Sequence, residues 1–70
     1  MDVAAPWPGV VQEVMVAVGD SVQEEDDLLA LESMKMITPV PAPAPGRVVA
    51  IHVNVGDVVT AGARLVTLER

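Results

Sequence analysis

Shifted by 37 residues, the sequence aligns with itself without a gap, and this repeat limits the possible folds more than any other feature. Pro6-Trp7-Pro8-Gly9 falls on Pro43-Ala44-Pro45-Gly46, and Val16-Ala17-Val18-Gly19-Asp20 falls on Val53-Asn54-Val55-Gly56-Asp57. Leu28, Leu31 and Glu32 fall on Leu65, Leu68 and Glu69. Twelve of the 27 positions from Pro6 to Glu32 are identical, too many for coincidence. Two copies are too few for a solenoid, which needs about three or more. Each unit is also too small to bury its own apolar face. The repeat therefore predicts one domain spanning residues 1–70, with pseudo-two-fold symmetry and each half covering the other.

Within each unit the periodicity is two. Val14, Val16 and Val18 alternate with Glu13, Met15 and Ala17, and Ile51, Val53 and Val55 alternate with Ala50, His52 and Asn54. Such alternation predicts strands with one face on a core. Gly19-Asp20 and Gly56-Asp57 are expected to break these strands, with both glycines at positive φ. A second strand follows in each unit, from Leu28 to Glu32 and from Leu65 to Glu69. Pro6, Pro8, Pro43 and Pro45 open the units, where a missing N–H is tolerated at a strand start. The Pro-Ala run from Pro39 to Pro45 could be a stiff linker, but the repeat makes it an extended crossover between the halves. Helix is not expected. The best candidate, Gln23 to Leu31, aligns with a segment containing Gly62.

Composition narrows the function. Val dominates the apolar residues, Trp7 is the only aromatic, and there is no Cys for disulfides or thiolate metal sites. A net charge of −6 argues against nucleic acid and anionic lipid as partners. No apolar run approaches the ~18 residues of a membrane span. The N-terminus lacks a basic segment followed by an apolar one. The chain is thus expected to be soluble, cytoplasmic and monomeric in isolation. No metal site is expected. His52 has no second His to join it and is assigned to the outward face, while Glu24-Glu25-Asp26-Asp27 lacks the spacing and Gly of a calcium loop and reads as a solvated acidic loop. Trp7, flanked by prolines, is expected to pack.

Symmetry also shows which residues do something extra. Ser33-Met34-Lys35-Met36 has no counterpart, because the equivalent segment would begin at Arg70. Lys35, the only lysine, lies where one half hands over to the other, between a strand ending at Glu32 and an extended segment beginning at Met36. Strand, short link, strand is a hairpin, which places Lys35 at or near a protruding tip. Lysine offers an amine that becomes a nucleophile once deprotonated. Exposed Met offers polarisable surface that another protein can grip. The local sequence alone favours a plainer picture, in which Met34 and Met36 face inward and Lys35 merely points out.

Glu32-Ser33-Met34-Lys35-Met36 resembles the signature of biotinyl domains, the biotin carboxyl carriers of biotin-dependent carboxylases. The likeness runs along nearly all the chain, through Pro8-Gly9, Gly19-Asp20, Leu28 to Glu32, Pro39, Gly46, Gly56-Asp57 and Gly62. It is greatest for the free-standing single-domain biotin/lipoyl attachment proteins of bacteria. The resemblance implies an all-β flattened barrel, or sandwich, of two four-stranded antiparallel sheets with the modified lysine at a hairpin tip. It further implies biotin bound covalently to Lys35, with Glu32, Ser33, Met34 and Met36 forming the tip that a biotin protein ligase recognises. The ligase would activate biotin as an acyl-adenylate for attack by the Lys35 amine. A biotin carboxylase would then load a carboxyl group from bicarbonate, using ATP, and a carboxyltransferase would receive it. The carrier itself would catalyse nothing.

Related lipoyl domains share this fold but usually carry Asp-Lys-Ala at the tip, so Met34 and Met36 favour biotin over lipoate. A third possibility is an unmodified barrel acting as an interaction module. Two departures from the biotinyl pattern stand out. Ile37-Thr38 reverses the usual order of an acidic residue followed by an apolar one, so period two puts Ile37 on the face that is usually polar. The thumb-like insertion of some acetyl-CoA carboxylase carriers is also missing.

Overall fold

The computed structural model describes all 70 residues and contains eight strands and no helix. They are β1 (Asp2–Ala4), β2 (Gly9–Val14), β3 (Ser21–Val22), β4 (Asp27–Ser33), β5 (Met36–Pro41), β6 (Gly46–Ile51), β7 (Val58–Val59) and β8 (Arg64–Glu69). Sheet I has the order β5-β4-β2-β7 and sheet II the order β1-β8-β6-β3, and every pairing is antiparallel. The 37-residue shift carries β2, β3 and β4 onto β6, β7 and β8, and β1 onto the last part of β5. One sheet order therefore maps onto the other, as the repeat predicts.

The symmetry extends to single hydrogen bonds. Gly19 N–H donates to the Val48 carbonyl at 2.8 Å, and Gly56 N–H donates to the Val11 carbonyl at 2.8 Å. The Asp20 carboxylate accepts from Ala17 N–H at 2.9 Å, and the Asp57 carboxylate accepts from Asn54 N–H at 2.8 Å. Here lies the reason for the Gly-Asp pairs. Gly19 and Gly56 take φ of 98° and 94°, which a Cβ disfavours, and each Asp side chain accepts from one N–H of its own turn.

The strands end earlier than the alternation suggested. β2 stops at Val14 and β6 at Ile51. Val16 is half-buried against the core and Val53 is buried, but Val18 and Val55 are exposed. The ladder ends there because the chain is leaving its sheet. Met15 N–H keeps one bond to the Leu28 carbonyl, and His52 N–H keeps the equivalent bond to the Leu65 carbonyl, before each segment crosses over. The short strands β1, β3 and β7 carry too little pattern to be seen in the sequence.

One core joins the two sheets. Val11, Leu28, Leu31, Val40 and Val59 from sheet I meet Val3, Val22, Val48, Leu65 and Leu68 from sheet II. Trp7 is half-buried against this cluster, in the packing role expected of it. Pro39 and Pro41 lie in β5, an edge strand, where a proline costs least. The rest of the Pro-Ala run crosses from β5 to β6, with Ala42 buried on the way.

The connections single out one turn. The chain changes sheet between β1 and β2, between β2 and β3, between β3 and β4, and at each step from β5 to β8. Only β4 and β5 follow each other within one sheet. That lone hairpin carries Lys35.

Candidate functional site

Ser33, the last residue of β4, pairs with Met36, the first of β5, so only Met34 and Lys35 form the loop. Both have positive φ, 50° and 68°. A two-residue hairpin with both central residues left-handed is a type I′ turn, whose twist matches that of the strands beside it. Asn-Gly or Gly-Gly is the usual choice for it. Two ordinary side chains there are strained, and such strain persists only where surrounding structure over-determines it. The ladder supplies that constraint: Asp27, Leu29, Ala30, Leu31, Glu32 and Ser33 pair in turn with Pro41, Val40, Pro39, Thr38, Ile37 and Met36.

The five residues singled out in the sequence thus form one continuous tip. Ser33 is half-buried, and Glu32, Met34, Lys35 and Met36 are exposed. Met34 is 93% exposed and Met36 67%, so the reading in which both face the core is wrong. The turn lifts them off the sheet, and the core has already closed at Leu31. Ile37 is exposed and Thr38 is half-buried, as period two predicted for this reversed pair. The Lys35 amine has neither an ion-pair nor a hydrogen-bond partner within the chain, the one ion pair being Arg64 with Asp2.

One contributor at the base of the tip was not visible in the local sequence. A Cβ built on Gly9 would lie 2.7 Å from the Glu32 carbonyl oxygen, so β2 reaches the end of β4 only because residue 9 has no side chain. The equivalent Gly46 stands 3.1 Å from the Glu69 carbonyl oxygen. The repeat flagged both glycines, but only their distances show the reason for them.

His52 does not join the tip. It is exposed, with Nε2 2.7 Å from the Thr67 hydroxyl, which donates to the Asp2 carboxylate at 2.7 Å. Nor does the acidic loop meet Lys35. Glu24, Glu25 and Asp27 are exposed, and the Asp26 carboxylate accepts from Gln23 N–H at 2.8 Å, which fixes its own turn. The two main surface depressions are lined by residues of the Met1, Pro45 and Glu69 region, and no tip residue contributes to either. The amine is held out to solvent without an enclosing pocket, which suits a group handed from one protein to another.

Comparison with known proteins agrees with this geometry. The family model described as "Biotin-requiring enzyme" matches residues 1–68. The chain belongs to this biotin-requiring family. Its cofactor is accordingly biotin, attached covalently. Among relatives of the biotinyl domain, the biotin carboxyl carrier protein of Streptococcus mutans is 47% identical over 91% of this chain and 49% of its own length. A homolog of biotinylated protein TB7.3 from Mycobacterium leprae is 48% identical over 87% of this chain and 86% of its own. The chain spans about half of the first relative, and only 6% of a similar Staphylococcus aureus pyruvate carboxylase.

Two solved structures place the fold. Part of the Kluyveromyces lactis urea carboxylase superposes with a TM-score of 0.93 at 29% identity, covering 99% of this chain and 6% of that one. The lipoyl domain of the Azotobacter vinelandii 2-oxoglutarate dehydrogenase complex gives 0.82 at 28% identity, covering 100% and 96%. Biotinyl and lipoyl domains thus share this architecture. An exposed, unpartnered lysine at a rigid tip fits either acyl group, while the named carriers it resembles in sequence are biotin proteins.

Proposed function

We propose that Lys35 is the residue that holds biotin, and that the chain is a carboxyl carrier moving between a biotin carboxylase and a carboxyltransferase. The observation that carries this reading is the position of the only lysine, at the one within-sheet hairpin, on a strained turn with its amine unpartnered. A biotin protein ligase is the partner that loads it. No carboxylate or imidazole of this chain is hydrogen-bonded to the amine, so the ligase supplies the base that deprotonates it. The resulting amide removes one positive charge, taking the net charge from −6 to −7. When bound, biotin supplies the carboxyl-carrying chemistry. The chain's own part is to hold the tether rigid and raise the cofactor's effective concentration at each site it visits.

The carrier acts without catalysing, as a single folded unit over residues 1–70, monomeric in isolation and in the cytoplasm. The reading is supported by an amine with no partner in the chain and by one core that joins both sheets. The test is co-expression with a biotin protein ligase, followed by streptavidin blotting and intact mass. The expected result is one biotinyl group on the wild type and none on Lys35→Arg, with the circular dichroism of the two alike. Labelling of the variant would overturn the assignment, and a lipoyl adduct in cells holding both ligases would favour the lipoyl alternative.

A further inference from the structure

Trp7 carries a ring that the repeat itself does not require. Pro6-Trp7-Pro8-Gly9 maps onto Pro43-Ala44-Pro45-Gly46, so the prolines and the glycine recur and only the indole is new. Ala44 is half-buried like Trp7, so the equivalent place in the other half closes with a methyl group. Part of the Trp7 ring packs on the core cluster and the rest lies in solvent. The indole Nε1–H donates to no group of the chain, and no unpartnered side-chain nitrogen is buried, so this N–H faces water.

The backbone fixes Trp7 at the same end of the molecule as the tip. On one side, Ala5 N–H donates to the Ala63 carbonyl and the Ala5 carbonyl accepts from Gly62 N–H, both at 2.8 Å. On the other, Gly9 opens β2 against the Glu32 carbonyl, at the base of the tip. Pro6 and Pro8 restrict the backbone between these anchors, so the indole has little freedom to move away. The molecule is 33 Å long but only 19 by 18 Å across, so a long arm on Lys35 has a short distance to cover at this end. Biotin joined to lysine is such an arm, with the butyl chain of the lysine followed by a valeryl chain. Its bicycle has an apolar thioether ring and a ureido carbonyl that accepts hydrogen bonds. A half-exposed indole offers an apolar face that suits the sulfur ring and a free N–H that suits the carbonyl.

We propose that the exposed half of Trp7 is the resting place of the biotin ring carried on Lys35, with Nε1–H donating to the ureido carbonyl. The inference rests on Lys35 being the biotinylated residue. The contact is intramolecular, so the tether populates an interaction too weak to hold free biotin. It is also open on one side, so an enzyme with an enclosed pocket can take the ring from it. The left-handed turn at Met34 and Lys35 fixes where the arm begins, and Trp7 fixes where the ring waits between visits.

The experiment compares the full chain before and after biotinylation by a biotin protein ligase, with intact mass confirming complete loading. Trp7 is the only aromatic residue, so the one indole N–H resonance of a 15N-labelled chain and all of its tryptophan emission report on this site. Loading should move the indole resonance and protect the ring from acrylamide, with quenching falling by about half as the exposed part is covered. The biotin ring protons should shift upfield from their positions in free biotinyl-lysine, because they lie over the indole. Lys35→Arg taken through the same ligase treatment should keep the unloaded values. Trp7→Ala installs the residue of the other half, and in the loaded variant the biotin protons should return to their free positions. If that variant fails to fold in a thermal melt, the wild-type comparison decides alone. An unchanged indole resonance and unchanged quenching in fully loaded protein overturn the proposal. So do shifts that grow with protein concentration, since the ring would then lie on a neighbouring molecule, and backbone shifts as large at the Gly19-Asp20 turn as at Trp7, since the whole fold would then have changed. A wild type that takes no biotin at all would instead overturn the reading of Lys35, and this inference with it.

Discussion

Ser33 pairs directly with Met36, and that one contact forces Met34 and Lys35 into left-handed backbone. A free peptide has no reason to adopt this turn with two non-glycine residues. It must also order its backbone on binding, at roughly 1–2 kcal/mol per residue fixed. A peptide spanning Leu29 to Val40 is therefore expected to be a far poorer ligase substrate than the folded chain. Initial rates at equal concentration decide it, and equal rates would show that the barrel is no recognition element.

Glu25 has φ of 73° where its counterpart in the second half, Gly62, has 88°. The two N–H groups donate to equivalent carbonyls, Ala42 and Ala5. Glu25→Gly should relieve the left-handed strain and stabilise the fold by up to about 1 kcal/mol. The opposite change at a neighbouring turn, Gly56→Val, should cost roughly 1 kcal/mol or more, with Gly19→Val alike. Urea titration reads both directions, and a destabilised Glu25→Gly would show that its side chain contributes more than the strain costs.

Gly9 and Gly46 test the symmetry from another side. A methyl at residue 9 meets the Glu32 carbonyl at 2.7 Å, a backbone atom that moves only if the strand end moves, while at residue 46 the distance is 3.1 Å. Gly9→Ala is expected to destabilise by about 1–3 kcal/mol, and Gly46→Ala by less. Because the first clash lies at the base of the tip, Gly9→Ala should also slow biotinylation more than Gly46→Ala does. Equal melting temperatures for the two variants would contradict this ordering.

Asp2 gives the fold an acid-sensitive contact. The Thr67 hydroxyl donates to its carboxylate and holds the pKa below the ordinary 3.8, with Arg64, the N-terminal amine and His52 acting in the same direction against some desolvation. A depressed carboxylate stabilises the folded chain fully above its unfolded pKa and loses that contribution as pH falls through the folded value. Asp2→Asn should therefore melt at a lower temperature than the wild type at neutral pH, with the gap closing on the acid side of 3.8. The gap should be small, because Asp2 is exposed and screened. A gap that stays constant into acid would mean that the carboxylate's charge adds nothing.

Much was determined by the sequence alone. A 37-residue repeat with period-two valines admits little besides two matching sheets, and the one segment that fails to repeat contains the only lysine. What it could not contain were relations between residues far apart in the chain. The strands were expected to continue through Val18 and Val55, because alternation records which way side chains point and not where a ladder loses its partner. The local sequence favoured Met34 and Met36 as inward residues, because exposure depends on where the core closes, and it closes at Leu31. The tertiary structure alone decided that Gly9 touches Glu32, that the tip is the only hairpin within a sheet, and that Val58 stands in register with Val10, Glu32 and Ile37. Register is set by packing two sheets on one core, and a local pattern carries no record of which distant strand lies alongside.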